Sequence, residues 1–200
     1  KEYYTQYIVN IYRRKLFTVS FDTQNGTSVA SQTVEEDNLA TMPETTRLGY
    51  TFVTWDYDFT TPITGDTEIT ASWKANEDTK YTVKYYFQNL ENDKYTLYES
   101  VECTGTTDTT ATAEIKEYAH FTYNASESAE TLSGNIHPDG SGILKVYYTR
   151  NVYGLSYASN GSITNAGNHK YGKQMFTPFP LTLRTAQLQT QAVTVMDTRP

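Results

Sequence analysis

The chain has 200 residues, a mass of 22.7 kDa, a net charge of −7 and a pI near 5.0. The acidic balance argues against nucleic acid as a partner, because a phosphate backbone is contacted by basic faces. The single cysteine, Cys103, excludes an intrachain disulfide, and no apolar run approaches the ~20 residues that span a bilayer. The 18 tyrosines and a comparable excess of threonine favour β-strands over helices.

The sequence repeats itself at long range. The segment 8–26 resembles the segment 143–161, because both run through a strand pattern, a basic residue, a second strand pattern and Asn-Gly. A chance similarity between two strand-turn stretches is the alternative. The offset of about 135 residues suits two small modules that alternate, in a chain that we expect to be part of a longer protein. The expected parts are 1–15 (the last strand of a preceding module), 16–75 and 79–150 (complete modules) and 152–200 (the start of another).

The first module, 16–75, begins with a strand-turn-strand pattern. Apolar residues alternate with polar ones at 17–21, which predicts a half-buried strand. Asn25-Gly26 predicts a tight hairpin turn, because both residues tolerate positive φ angles. A second short strand is expected at 29–34, followed by polar turns and a loop.

The aromatic residues of this module are concentrated in its second half. In the run 47–55, Gly49 admits a sharp turn, and the aromatic residues that follow it share one strand face. A later strand at 68–73 again places its apolar residues on one face. Trp55 and Trp73, the only two tryptophans, are expected to build the core of the module, with stacking on a ligand as the alternative.

Four motifs carry a family resemblance over 16–75. They are Phe-Thr-Val-Ser-Phe-Asp at 17–22, Asn-Gly at 25–26, Pro-x-x-x-Arg-x-Gly-Tyr-x-Phe-x-x-Trp at 43–55 and Gly-Asp-x-x-Ile-x-Ala-x-Trp at 65–73. Together they resemble the Listeria–Bacteroides repeat, also called the internalin B-repeat, although Thr54 stands where that family usually has Gly. The resemblance implies a β-grasp-like, SUMO-like module that occurs in tandem on bacterial surface proteins and serves spacing or adhesion.

The second module, 79–150, also shows strand patterns. Alternation at 81–86 and a returning strand at 95–101 predict a β-hairpin. A polar, turn-rich stretch follows, then a strand start at 121–124 and a last strand at 143–148.

The motifs of this second module also resemble a known family. They are Tyr-Thr-Val-Lys-Tyr-Tyr at 81–86, Leu-Glu-Asn at 90–92, Thr-Gly-Thr at 104–106, Phe-Thr-Tyr-Asn at 121–124, Gly134, Asp-Gly at 139–140 and Leu-Lys-Val-Tyr-Tyr at 144–148. Together they resemble the mucin-binding-protein repeat, MucBP. That resemblance implies another β-grasp-like unit of Gram-positive surface proteins, and it assigns no ligand residue.

The last 50 residues restart the first pattern without completing it. Residues 152–161 repeat the strand and Asn-Gly of the first module, and 171–184 align loosely with the stretch that follows. After Arg184 the aromatic motif is missing, although Leu188, Val193 and Val195 are compatible with strands. The end at 185–200 is a divergent repeat, a truncated one or a segment foreign to the repeat.

Catalytic and metal-binding patterns find little support. His120, His137 and His169 lie in separate segments without the spacing of zinc ligands, and Cys103 has no neighbouring histidine. Asp56 and Asp58 form an i, i+2 carboxylate pair that suits Ca²⁺ on a strand, or a solvated turn. We therefore assign no catalytic, cofactor-binding or metal-binding residue, and expect no cofactor.

The modules and resemblances together favour a non-catalytic function. We expect mainly β structure: tandem β-grasp-like modules with little helix, arranged as an elongated rod. The expected function is a stalk or spacer segment of a secreted adhesin at the bacterial cell surface or cell wall. Direct binding of host glycans or proteins is the alternative, with Tyr86, Tyr98 and Tyr148 expected to be exposed and able to stack on sugars. Neighbouring repeats of the same chain are the other expected partners. Enzymatic activity is the least favoured hypothesis.

Overall fold

The computed structural model describes residues 1, 13–159, 162–173 and 193–197, and these are mainly β with very little helix, as predicted. The strand predicted within 1–15 falls mostly on residues 2–12, outside the described residues. The elements are β1 (Leu16–Asp22), β2 (Gln32–Glu35), β3 (Tyr50–Trp55), β4 (Thr67–Ala75), β5 (Thr79–Gln88), β6 (Tyr95–Gly105), β7 (Thr110–Thr112), β8 (Phe121–Tyr123), α1 (Ala125–Ser128), β9 (Ser133–Asn135), β10 (Ile143–Arg150), β11 (Val152–Ser159), β12 (Ser162–Lys170) and β13 (Val193–Asp197).

The described chain divides into two compact units. Unit 1 contains the described part of Lys1–Thr79 together with two later segments, Thr106–Asp108 and His137–Asp139. Unit 2 contains the described part of the remainder.

Unit 1 is built on a four-stranded mixed sheet in the order β2-β1-β4-β3. The central strands β1 and β4 are parallel, while β2 and β3 pair antiparallel to them at the two edges. A central parallel pair formed by the first and last strands fits the β-grasp-like module that the resemblance implies.

The core of unit 1 follows the predicted alternation. Val19 of β1 and Ile69 of β4 are fully buried on the inner face of the sheet. Trp55 is 3% exposed, and its ring contacts Phe21 edge-on at 5.4 Å between ring centroids. Trp73 is half-buried and packs against the same core. The prediction that both tryptophans build the core is therefore confirmed.

A β-bulge in β3 brings its aromatic residues to one face. The pairing of β3 with β4 shifts between Phe52 and Thr54, so that Val53 is an extra residue and is 57% exposed. Phe52 and Trp55 are three positions apart and would face opposite sides of a regular strand. The bulge restores both to the core, where their ring centroids are 5.7 Å apart.

The first turn of unit 1 differs from the prediction by one residue. The positive φ angles fall on Gln24 (49°) and Asn25 (66°), and Gly26 N donates to Thr23 O at 2.9 Å. Gly26 serves packing instead, because an ideal Cβ at Gly26 would lie 2.7 Å from Cζ2 of Trp73. A larger residue at this position of the Asn-Gly pair would thus collide with a core tryptophan.

Unit 2 repeats the same sheet plan. Its main sheet has the order β6-β5-β10-β8, with β5 and β10 parallel in the centre and β8 antiparallel to β10. The core is formed from Val83 and Tyr85 of β5 and from alternate residues of β10. A two-stranded sheet, β7-β9, and the single-turn helix α1 complete this part, and the side chain of Asn124 accepts from Glu127 N at 3.0 Å to cap α1.

A third sheet, in the order β12-β11-β13, forms the rest of the described part of unit 2. β11 pairs antiparallel with both neighbours, and β13 contains Val193 and Val195, two of the three residues that suggested strands. The third, Leu188, lies outside the described residues. β12 follows β11 after residues 160–161, whereas the longer stretch 23–31 separates β1 from β2. The predicted restart of the first module thus has fewer residues between its first two strands than the first module has.

Candidate functional site

The three tyrosines predicted to be exposed have three different environments. Tyr98 is 61% exposed, but its ring stacks on Phe87 with 4.0 Å between the centroids. Tyr86 is half-buried at a groove. Tyr148 is 1% exposed, so the prediction that it is available for stacking is wrong.

The burial of Tyr148 follows from its position in β10. Leu144, Val146 and Tyr148 share the inner face of the strand, so Tyr147 is the tyrosine that faces outward. The hydroxyl of Tyr148 donates to Lys116 O at 2.8 Å, which satisfies its polar end inside the core. The Tyr-Tyr pair at the end of the module therefore has one core residue and one surface residue.

The candidate site is an open groove of about 640 Å³ on unit 2, here called the tyrosine groove. It is lined by Tyr86, Gln88, Asp93, Lys94, Tyr95, Glu127, Lys145 and Tyr147. Sequence reasoning identified Tyr86 and missed Tyr95 and Tyr147. The alternation of β10 was the available signal for Tyr147, because its neighbours on either side are buried.

Strand pairing positions the aromatic rings of the groove. Tyr86 and Tyr147 are partners in the parallel register of β5 and β10, and their rings stack with centroids 5.1 Å apart and planes 22° apart. Tyr95 meets Tyr147 edge-on at 5.1 Å. The hydroxyl of Tyr95 accepts from Asn124 Nδ2 at 2.9 Å, which fixes this ring beside the other two. The three rings form a continuous aromatic surface.

The polar residues at one end of the groove are already bonded to one another. Asp93 Oδ1 accepts from Gln88 Nε2 at 3.1 Å and lies 2.9 Å from Lys170 Nζ. Burial, together with the neighbouring Tyr86 and Glu127, raises the pKa of Tyr147 above its usual value. The Tyr147 hydroxyl therefore remains protonated at neutral pH and can donate a hydrogen bond.

A second, smaller concavity of about 430 Å³ lies within unit 1 and includes Arg47, Tyr50, Asp108 and His137. The Arg47 guanidinium stands 3.7 Å above the ring of Tyr50, and the Tyr50 hydroxyl donates to Asp108 Oδ2 at 2.5 Å. This hydrogen bond is the main reason why the pKa of Tyr50 is raised. Arg47, Tyr50 and Asp108 contact one another, so we attribute their arrangement to local packing.

The carboxylate pair considered for calcium lies in a turn after β3. Asp56 Oδ1 accepts from Thr70 N at 2.7 Å. Asp58 Oδ1 accepts from the backbone nitrogen and the hydroxyl of Thr60, and these bonds lower the pKa of Asp58. The Asp56 carboxylate thus joins the end of β3 to β4, and that of Asp58 serves local turn structure. Across the described ranges, no group of three or more His, Cys, Asp and Glu residues is arranged to hold a metal ion.

The histidines and the cysteine lie in different parts of the fold. His137 belongs to unit 1, whereas His120 and His169 belong to unit 2. His120 stacks on Tyr171 with 3.8 Å between centroids, and Nδ1 lies 2.9 Å from the Tyr153 hydroxyl. Cys103 is half-buried against the core of unit 2.

Comparison with known proteins bears on unit 1. No curated protein matches the chain. Within the part of the chain that the structure describes, no helix has the length and apolar character needed to cross a membrane. The strands β1 to β4 lie almost entirely within a stretch that matches a family found as a repeat in bacterial surface proteins. That family is the Listeria-Bacteroides repeat domain, whose model matches residues 17–74 and so confirms the resemblance seen in the first module.

Proposed function

We propose that this chain is a non-catalytic repeat segment of a secreted bacterial surface adhesin and that it acts as a stalk or spacer. The observation that carries the proposal is the match of 17–74 to a surface-protein repeat domain. The recurrence of the same sheet plan, with a central parallel pair, in both units supports a tandem array of similar small modules. In this proposal the array holds a distal binding domain away from the cell wall.

The MucBP-like identity of 79–150 and the module boundaries belong to the same proposal. The sheet order β6-β5-β10-β8 supports a β-grasp-like unit over this range. We propose that 152–200 begins a divergent repeat, and that Gram-positive bacteria carry the parent protein.

Small-angle X-ray scattering of the 200-residue chain tests the stalk. A compact protein of this length has a radius of gyration of about 16 Å. A rod-like array should give a clearly larger radius of gyration and a long tail in the distance distribution. A radius close to the compact value would contradict the stalk. Protease shaving of intact cells of the source bacterium tests the location, and protection of this segment until lysis would contradict surface display.

A second candidate function is direct binding of a glycan, and the tyrosine groove is the specific observation that favours it. Stacked aromatic rings bordered by polar side chains offer both an apolar surface and hydrogen-bond partners. A glycan array probed with the 200-residue chain tests this candidate. If the parent chain binds no better than the double variant Tyr86→Ala, Tyr147→Ala, direct glycan binding is contradicted and the spacer role remains.

A further inference from the structure

The outer face of the main sheet in unit 2 carries an unusual pair of like charges. Lys84 and Lys145 are direct partners in the parallel register of β5 and β10, and both are half-buried. Like charges placed opposite one another destabilise a sheet. Among the described residues, no carboxylate lies within ion-pair distance of either ammonium group. Two facing lysines are unexpected in a chain whose net charge is −7, because acidic residues outnumber basic ones.

The lysine pair adjoins the aromatic surface. Tyr86 and Tyr147 follow Lys84 and Lys145 by two residues on the same strands, so they lie on the same face. Two residues along a strand span ~7 Å. One ligand can therefore reach both the ammonium groups and the stacked rings.

The remaining polar groups of the groove suit hydroxyl-bearing ligands. Lys94 is an exposed third cation, and the acid nearest to it in sequence, Asp93, is neutralised by Lys170. Glu127 is exposed at the groove and can accept hydrogen bonds, while the protonated hydroxyl of Tyr147 can donate one.

We propose that the tyrosine groove, together with Lys84, binds an acidic saccharide. A sugar ring packs against the stacked pair that Tyr86 and Tyr147 form, and its carboxylate pairs with Lys84 and Lys145. This inference rests on the second candidate function, direct glycan binding, and is independent of the spacer role.

Titrations of the ¹⁵N-labelled 200-residue chain with 3′-sialyllactose, trigalacturonic acid and lactose test the proposal. The acidic probes should give saturable amide shifts centred on Tyr86, Lys145 and Tyr147, with at least tenfold tighter binding than lactose. Raised salt should weaken binding of the acidic probes, since the charges are solvent-accessible.

Paired variants separate binding from folding. Lys145→Gln and Tyr86→Ala should each weaken binding of the acidic probes about tenfold or more. Lys80→Gln and Tyr98→Ala are matched controls, because Lys80 pairs with Glu102 and Tyr98 lies away from the groove, and both should bind like the parent chain. Because Lys145→Gln removes a repulsion, the variant should unfold at a denaturant concentration equal to or above that of the parent.

Three outcomes would overturn the proposal. Equal binding of lactose and the acidic probes would retain direct glycan binding but remove the acidic specificity. Shifts confined to residues outside the groove would place binding elsewhere. No shift with any probe, in a chain whose spectrum shows it folded, would remove the site and leave the scattering test of the stalk unaffected.

Discussion

Thr107 occupies the space that a side chain on Gly49 would need. An ideal Cβ at Gly49 would lie 2.9 Å from Thr107 Cγ2, and the Thr107 hydroxyl donates to Gly49 O at 2.7 Å. The backbone nitrogen of Thr107 also donates to Asn76 O at 2.9 Å. The glycine of the Arg-x-Gly-Tyr motif therefore does more than permit a turn, since it also receives a buried threonine from a later part of the chain.

Gly49→Ala should destabilise unit 1 by about 2–4 kcal/mol. Its φ of +76° is strained for alanine, and the new methyl group would also meet Pro138 at 2.8 Å. Urea denaturation followed by tryptophan fluorescence measures the loss, because both tryptophans lie in unit 1. Gly65→Ala is the control, since no atom lies within 4 Å of its ideal Cβ. Equal midpoints for the two variants would contradict the expectation.

Thr107→Val should destabilise unit 1 by about 1–3 kcal/mol, because it breaks the buried hydrogen bond with the Thr79 hydroxyl and removes one of the two donors to Gly49 O, which still accepts from Asn76 N. The shape of the side chain is nearly kept, so the loss reports the hydroxyl. Thr33→Val changes an exposed position of β2 in the same unit and serves as the control in the same fluorescence measurement. A Thr107→Val midpoint within error of this control would show that the buried hydrogen bonds contribute nothing net.

Ile69→Ala should destabilise unit 1 by about 2–5 kcal/mol, since Ile69 is fully buried in the sheet core. Leu48→Ala removes the same kind of side chain from a position that is 69% exposed, and should change the free energy of unfolding by about 0.5 kcal/mol or less. Similar losses in the two variants would place Ile69 outside a close-packed core.

Alkaline pH should destabilise unit 2. Burial raises the pKa of Tyr148 to about 12, from the 10.0 of an unperturbed tyrosine, and also raises that of Tyr118. The unfolded chain loses these protons first, so the contribution to stability is complete below pH 10 and is lost as the pH rises to about 12.

Denaturation at several pH values, with tyrosinate absorbance as a second readout, tests this window. Tyr148→Phe should lower the stability at neutral pH, because Lys116 O loses its donor, and should flatten the decline above pH 10. An unchanged slope in this variant would show that Tyr148 does not control the decline.

Calcium should leave the thermal midpoint of unit 1 unchanged. Asp56 already accepts a hydrogen bond from Thr70 of β4, and Asp58 accepts two from Thr60 in its own turn. Differential scanning calorimetry with and without millimolar Ca²⁺ measures the midpoint, and magnesium at equal ionic strength is the control. A rise specific to calcium would restore the carboxylate pair as a metal site.

The sequence predicted the features of the fold that depend on local alternation. The strand at 17–21 and the buried face of 68–73 are examples, because a period of two exposes one face and buries the other. The bulge at Val53 was not predictable in this way, since it depends on the pairing of β3 with β4. The same holds for the turn at Gln24 and Asn25, because the close approach of Trp73 to the neighbouring Gly26 joins positions that are far apart in the sequence.

The tyrosine groove was only partly predictable for a related reason. Tyr86 and Tyr148 were both predicted to be exposed, but which tyrosine of a Tyr-Tyr pair faces outward depends on which residues of the strand face the core. The stacking of Tyr86 on Tyr147 depends further on the parallel register, which couples positions 61 residues apart. Tyr95 joins them through a bond to Asn124 that no local pattern reveals.

The central parallel pairs also determine how these sheets respond to mechanical load. In unit 1 the first strand, β1, lies beside the last, β4, and runs in the same direction. A pull applied where the chain enters β1 and where it leaves β4 slides the two strands past each other in opposite senses. The backbone hydrogen bonds between them then bear the force together, whereas a hairpin pulled at its open end loses its bonds one at a time. β5 and β10 have the same arrangement in unit 2, so each sheet resists stretching through shear along its own centre.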